Sequence, residues 1–473
     1  MQYLGLTMKK IITDCSNSLE NSTSLTQQKN IANKVVKFVD LFAGLGGLRL
    51  GFEQAFHEKG FKTQCILTSE IKPYAIQALR ENFQQDNLQG DIQKISSSQI
   101  EDFDFLLAGF PCQSFSTAGK GLGFADTRGT LFFEIERILK AKNPYGFILE
   151  NVEGLILHDR EKKSDSIGRT LQTILYTLEK LGYNVQWKLL ECQKFGVPQQ
   201  RKRIFIVGTK KNIVSLEHFQ EWSQVVGDIL EHNQPVVHSH FTECLMKKYS
   251  IEKLYGKAIK DKRGGKNNIH SWDISLKGDI SLEQKKLLEC LLKERRKKHW
   301  AEELDIPWMD GMPLTLEQIS TFYHSEHLQE MLDDLVQKRY LVLEHPKNII
   351  VTKKQNGLIH KERQQDITKP KGYNIVTGKL SFEFTKILDP NEVAPTLVAT
   401  DISHIGVIDG NGIRKLTIRE GLRLFGYPEN YNLSMFDNKE LSKAFDLLGN
   451  TVAIPVVKSV ASKLCEVYCQ YLS

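Results

Sequence analysis

A thiol, a carboxylate and two guanidinium groups are the parts of this sequence best placed to do chemistry. Cys112 lies in FDFLLAGFPCQSFS, residues 103–116, just after Gly109 and Pro111 break an apolar run. A buried strand that ends in so tight a turn can hold a sulfur clear of the sheet. The carboxyl end of the strand is where open α/β sheets place their ligands. As a thiolate, Cys112 would be a nucleophile. Glu150 ends a second apolar run, GFILE at 146–150. Beside Cys112 in a water-poor cleft, its pKa would rise and it could share a proton with a bound base. Arg201 and Arg203, in GVPQQRKRIFIVG at 196–208, are two residues apart. In an extended segment both would point to one face, where fixed positive charge could hold a substrate or phosphate and favour the thiolate.

These groups need elements to position them. Residues 35–42 form a β-branched and aromatic run, followed by Ala43-Gly44-Leu45-Gly46-Gly47 and a helical pattern through Leu48, Phe52 and Phe56. The order is strand, glycine turn, helix. Glycines let the backbone approach a cofactor closely, and a helix N-terminus suits the negative end of a ligand. The dinucleotide fingerprint GxGxxG is not met, because Arg49 stands where its last glycine would be. Residues 63–68 predict a second strand with Glu70 at its end, followed by a helix over 74–83. An acidic residue about 20 positions beyond a glycine turn can accept hydrogen bonds from both hydroxyls of a ribose. Gly90-Asp91-Ile92 offers a third acidic strand end, suited to an exocyclic amine with an apolar neighbour. Successive strand ends thus present Gly, Glu, Asp and Cys.

A chain of 473 residues is long for one core and predicts two domains, and 41% hydrophobic with 25% charged residues is ordinary globular composition. The net charge of +6 is a mild excess, but basic residues cluster in the middle of the chain, in KAIKDKRGGK at 257–266 and RRKKHW at 295–300. Lys262, Arg263, Arg295 and Arg296 suit phosphate contacts. Residues 282–298, 314–323 and 327–339 predict three helices, and 340–343 with 348–351 a hairpin, which together suggest a winged-helix-like insert. The eight cysteines show neither a CxxC pair nor a Cys/His zinc spacing, so they are expected to be reduced thiols with no metal. No apolar stretch approaches the roughly 20 residues of a membrane span, and residues 1–33 are polar without the apolar core of a secretory signal, which predicts a cytoplasmic protein without a membrane partner.

In order along the chain, FVDLFAGLGGLRLGF at 38–52, GFPCQSFS at 109–116, ENV at 150–152, PQQRKR at 198–203, APTL at 394–397, RKLTIREGLRLFGYP at 414–428 and GNTVAIPVV at 449–457 resemble the DNA (cytosine-5)-methyltransferases of bacterial restriction-modification systems. The resemblance implies a Rossmann-like α/β domain dependent on S-adenosyl-L-methionine, with a smaller target-recognition domain inserted. The expected boundaries are a flexible leader at 1–34, catalytic parts at 35–208 and 441–473, and recognition domain with hinge at 209–440. By the same resemblance Cys112 is the nucleophile, Glu150 and Arg203 hold a flipped cytosine, and Arg201 supports the cleft. Phe42, Ala43, Gly44, Leu45, Gly46, Glu70, Ile71, Asp91, Ile92, Pro111, Asn450 and Val452 would line the cofactor site, and Gln113, Ser116 and Gln199 the substrate side. Residues 116–130, with four glycines, would form a loop that closes over the substrate. The implied partners are double-stranded DNA and, functionally, a restriction endonuclease, with the enzyme a monomer. A transfer-RNA cytosine-5 methyltransferase and an inactive DNA-binding relative are the alternatives. The long variable middle argues against the first, and the presence of both Cys112 and Glu150 against the second. A nicotinamide dehydrogenase is a more distant third, disfavoured by the imperfect glycine fingerprint.

Overall fold

The structure, a computed structural model, describes residues 34–84, 87–111, 131–353, 359–377, 382–436 and 440–472. The leader, Cys112, Gln113, Ser116 and the loop at 116–130 lie outside the described residues. The chain divides into two compact units, one of Met1–Leu230, Asn391–Ile402 and Thr417–Ser473, the other of Glu231–Pro390 and Ser403–Leu416.

In the first unit seven strands, β1 (Val35–Leu41), β2 (Lys62–Ser69), β3 (Leu88–Gln89), β4 (Phe105–Gly109), β5 (Gly146–Val152), β6 (Asn184–Glu191) and β7 (Lys202–Thr209), form one sheet in the order β3-β2-β1-β4-β5-β7-β6. The first five in that order pair in parallel, and β7 runs antiparallel to both its neighbours. Helices α1 (Gly47–Glu58), α2 (Pro73–Asn82), α3 (Leu131–Lys142) and α4 (Arg169–Lys180) connect the parallel strands or lead into β6. The central strands are near-continuous apolar runs because helices cover both faces. Phe38, Phe52, Phe56, Phe105 and Tyr468 pack on one face, and Val39, Leu106, Ile135, Phe147 and Leu171 on the other. The C-terminal helix Ile454–Leu472 is long and apolar, and it buries Val457, Val460, Ala461 and Leu464 in the first of these cores.

The second unit holds the helices Leu282–Glu294, His299–Glu303, Leu316–Ser320 and Leu328–Gln337 around Leu287, Leu291, Trp300, Leu332 and Tyr340. The strands expected to form a hairpin do not pair with each other. Leu341–Glu344 pairs antiparallel with Gly372–Ile375, and Lys347–Lys353 with Ile359–Gln365. Periodicity misses this because the partner IHKERQQ is polar and shows no apolar alternation. The helix expected over 282–298 ends at Glu294, and Arg295 turns inward to 2% exposure, its Nη1 donating to Asn374 Oδ1 at 2.5 Å. Arg295 is therefore a core residue of this unit rather than a phosphate contact. The boundaries by contact also differ from those expected: the sheet-bearing unit extends to Leu230 and regains the chain at Asn391, because 198–200 hydrogen-bonds to the backbone of Ala394.

Gly51 sets how closely α1 meets the C-terminal helix. A Cβ there would lie 2.6 Å from Cβ of Val457 and 2.8 Å from the backbone nitrogen of Lys458, which cannot move without shifting its helix. Gly51→Ala should therefore lower stability by about 1–3 kcal/mol. A urea transition followed by circular dichroism would read this as an earlier midpoint, and an unchanged midpoint would contradict the close packing.

Candidate active site

β4 and β5 run side by side so that Gly109 stands opposite Glu150. A Cβ on Gly109 would sit 3.5 Å from Oε2 of Glu150, so the turn leading to Cys112 begins directly beside this carboxylate. Asn151 ties the two strand ends together. Its Nδ2 donates to the Phe110 carbonyl at 3.1 Å, and its Oδ1 accepts from Val152 N at 2.9 Å. Asn151 was visible in the sequence only as the middle of ENV, and its role comes from this contact. Glu150 is 8% exposed, and Nε of Arg203 lies 3.0 Å from its Oε1. Burial pushes the Glu150 carboxyl above its usual range, while the guanidinium groups of Arg203 and Arg201 work against that rise.

Arg201 and Arg203 do act near one carboxylate, but with different partners. Arg201 is 2% exposed, its Nη1 donating to the Leu397 carbonyl at 3.0 Å and its Nη2 to those of Gly449 and Thr451 at 3.1 and 2.6 Å. Gln199, fully buried, donates from Nε2 to the Leu424 carbonyl at 2.9 Å and accepts from Leu397 N at 3.1 Å. Both ends of its amide thus bind backbone, which makes Gln199 and Arg201 positioning residues here. They gather PQQRKR, APTL and GNTV, three stretches widely separated in sequence.

The glycine turn after β1 departs from ordinary backbone. Phe42, Gly44 and Gly46 have φ of 57°, 57° and 70°, and for Phe42 that left-handed conformation costs about 1–2 kcal/mol. Hydrogen bonds hold the turn: Ala43 N donates to the Ser69 carbonyl at 3.1 Å, and the Tyr431 hydroxyl to the Leu45 carbonyl at 2.7 Å. Glu70, at the end of β2, accepts from Gly44 N at Oε2 and from Ile71 N and Lys72 N at Oε1, each at 2.8 Å. A Cβ at Gly44 or at Gly90 would have no atom within 4 Å, and the side chain of Ile71 is 67% exposed. The carboxylate, the bare backbone and the exposed apolar side chain suit a nucleoside: hydroxyls for Glu70, a flat ring for Ile71. Asp91 accepts from Gln93 N at 3.0 Å with one oxygen, whereas Ile92, like Leu45, packs inside the core. Pro111 is half-buried, Val452 buried and Asn450 exposed, its Nδ2 donating to the Asp446 carbonyl at 2.7 Å. Asp446 also binds Lys72 Nζ at 3.0 Å and Tyr74 OH at 2.6 Å, which brings Asn450 to the Glu70 strand end. No local pattern announces that link between residues 374 apart. Arg49, at the missing glycine position, lies 4.0 Å over the ring of Phe83 and pairs with Glu53.

The strand order with its single reversed strand, and a glycine turn facing acidic strand ends, define a Rossmann-like methyltransferase fold. The family model for C-5 cytosine-specific DNA methylase matches residues 36–466, and the chain belongs to that family; it is a DNA (cytosine-5) methyltransferase. Type II methyltransferase M.NlaIV of Neisseria lactamica is 57% identical over 429 residues, covering 91% of this chain and 98% of its own. Type II methyltransferase M.NgoBV of Neisseria gonorrhoeae is 56% identical with the same coverage, and Type II methyltransferase M.HgiCI of Herpetosiphon aurantiacus 40% identical over 90% of this chain and 97% of its own.

The Glu150–Arg203 pair has a consequence for pH. Because the folded pKa of Glu150 lies above the unfolded one, its contribution to stability is fully present below the unfolded value and is lost as pH rises through the folded value. Arg203 limits that loss by favouring the charged form. Arg203→Met should therefore destabilise more at alkaline than at acidic pH, seen as a melting-temperature difference from the parent that widens with pH. A difference independent of pH would mean that Arg203 does not stabilise the Glu150 carboxylate.

Proposed function

We propose that this enzyme flips a cytosine out of a specific double-stranded DNA site, methylates carbon 5 through a covalent adduct on Cys112, and so protects bacterial DNA from a cognate restriction endonuclease. The observation that carries the chemistry is the buried Glu150–Arg203 pair set against the strand end that leads to Cys112. The restriction-modification context is supported by the relatives named Type II methyltransferases. In such a host the enzyme would act in the cytoplasm, and we take it to work as a monomer.

Carbon 5 of cytosine is a weak nucleophile, so the ring must first be activated. The thiolate of Cys112 adds to carbon 6 and pushes electron density onto carbon 5. Glu150, its pKa raised by burial, holds a proton at ring nitrogen 3 and offsets the charge that develops there. Arg203 fixes the orientation of Glu150 and gives the base a second polar contact. S-adenosyl-L-methionine, when bound, supplies the methyl group that carbon 5 takes up. Loss of the carbon 5 proton then expels Cys112 and restores the ring double bond. A thiolate cannot reach the face of a stacked base, which is why the nucleotide must leave the helix. Glu70, Ile71, Asp91 and the turn at 42–46 would hold the donor, with Pro111, Asn450 and Val452 closing its site. Gln113 and Ser116 would face the substrate. The segment between the catalytic parts would read the target sequence.

Cys112→Ala should abolish methyl transfer in a protein that still folds, and DNA containing 5-fluorocytosine should be trapped covalently only by the parent, since fluorine cannot leave as the proton does. Transfer by the variant at the parent rate would refute the nucleophile. Glu70→Ala should weaken S-adenosyl-L-methionine binding by about tenfold or more, the worth of a charge-assisted hydrogen bond, and leave DNA affinity without cofactor unchanged. Calorimetry showing an unaltered cofactor affinity would reject the assignment.

A further inference from the structure

The second unit carries a loop that methyl-transfer chemistry does not use. In residues 307–311, PWMDG, Trp308 is 40% exposed, whereas Trp272 and Trp300 of the same unit are 2% and 5% exposed. The loop is built to hold that indole outward. Trp308 Nε1 donates to the Arg296 carbonyl at 3.1 Å, and Arg363 Nη2 donates to the Trp308 carbonyl at 2.8 Å. The chain then turns at Gly311, with φ of 111°, where a Cβ would stand 2.9 Å from Nη2 of the buried Arg295.

Beside it, Asp310 gathers three cations. Arg296 Nε lies 2.7 Å from Oδ1, and Lys262 Nζ and Arg263 Nη2 lie 3.3 and 3.7 Å from Oδ2. Their side chains are 37%, 46% and 55% exposed, so all three can reach solvent or a ligand. Three positive charges on one carboxylate leave an excess of two, and Arg363 adds another next to Trp308. Burial pushes the Asp310 carboxyl up, but hydrogen bonds from Arg296 and Lys262 outweigh it and hold the group below its usual range, so it is ionised at neutral pH. The loop carrying Lys262 and Arg263 is fixed as well. Asn268 Nδ2 donates to the carbonyls of Arg263 and Gly264 at 2.9 and 2.8 Å, and Asp261 accepts from Ser271 N and Oγ at 2.8 and 2.7 Å.

We propose that this surface is a DNA-strand contact in which Asp310 holds the place of a phosphate: Lys262, Arg263 and Arg296 turn from the carboxylate to a backbone phosphate, and Trp308 lies against the apolar face of the adjoining nucleotide. The partner follows from charge and shape. A ring of cations suits phosphate oxygens, and a flat indole among them suits the apolar side of the adjoining sugar. The inference rests on DNA being the substrate.

The test is binding of the full-length protein to a labelled random-sequence duplex across a range of salt concentrations, without cofactor. Arg263→Ala and Lys262→Ala should each reduce the slope of log affinity against log salt by about 0.9. Trp308→Ala should weaken binding several-fold with the slope unchanged, and Trp308→Phe should restore most of it. Asp310→Asn, which keeps the shape and removes the competing charge, should tighten binding several-fold at low salt. Parental affinity and slope in Trp308→Ala and Arg263→Ala, on proteins with unchanged melting curves, would overturn the proposal, and so would Asp310→Asn binding no more tightly than the parent. The parent reading fails separately: a wild-type protein with no salt-dependent affinity for DNA would remove the substrate itself, whereas wild-type binding with indifferent variants would remove only this surface.

Discussion

One buried charge ties together three distant stretches of the sheet-bearing unit. Arg201 spends its guanidinium on three backbone carbonyls, from Leu397, Gly449 and Thr451, which lie 196, 248 and 250 residues away in the chain. Hydrogen bonds from a charged group to buried carbonyls contribute about 1.5–3 kcal/mol each, and leaving the charge unpaired would cost several. Gln199 pins Leu397 and Leu424 in the same way. The segments so gathered pack tightly enough that a Cβ on Gly449 would lie 2.2 Å from Ala399 N. This clamp fixes the stretches around Leu397 and Gly449–Thr451 against the start of β7, while Asp446, bound to Lys72 and Tyr74, ties the same late portion to the end of β2.

The clamp also sets the electrostatics of the site. Arg201 and Arg203 leave the same extended stretch two residues apart, one spent on backbone and the other on Glu150. Both guanidinium groups oppose the desolvation that drives the Glu150 carboxyl toward its neutral form. A carboxyl balanced in this manner can hold a proton against a base yet be fixed in orientation by its ion pair, which is what proton sharing with a ring nitrogen demands. Structural and chemical duties are thus divided between neighbouring arginines.

How far the site was legible depended on whether its signal was local. β1, β2, β4 and β5 were readable within a residue or two because parallel strands covered on both faces are unbroken apolar runs. The glycine turn, Glu70 and Glu150 were readable because each sits where such a run stops. The direct contact between Glu150 and Arg203 was not: the residues gave Arg203 as fixed charge and the resemblance set both on a flipped cytosine, but no pattern encodes a side chain reaching across from β7 to β5. Nor was the burial of Arg295, which belongs to a basic run whose next member, Arg296, is at the surface. A turn after Glu294 separates them, and turn geometry decides which guanidinium goes inside. The strand at 359–365 was invisible for the opposite reason, having a partner but no apolar face.

The two units each hold buried basic side chains, but the second also shares one carboxylate among three cations. In the first, Arg201 faces backbone carbonyls and Arg203 one buried carboxylate, so the charge of both is consumed within the fold. In the second, Arg295 is consumed likewise by Asn374 and the Ile375 carbonyl, while Lys262, Arg263 and Arg296 share a single partially exposed carboxylate. A net charge of +6 on 473 residues says little about a polyanionic partner until it is known which charges are already neutralised inside the protein. Unequal pairing, three cations to one anion, supplies that distinction. It separates charges that build the fold from charges that remain available to a ligand, and it does so at positions where composition alone would count them all the same.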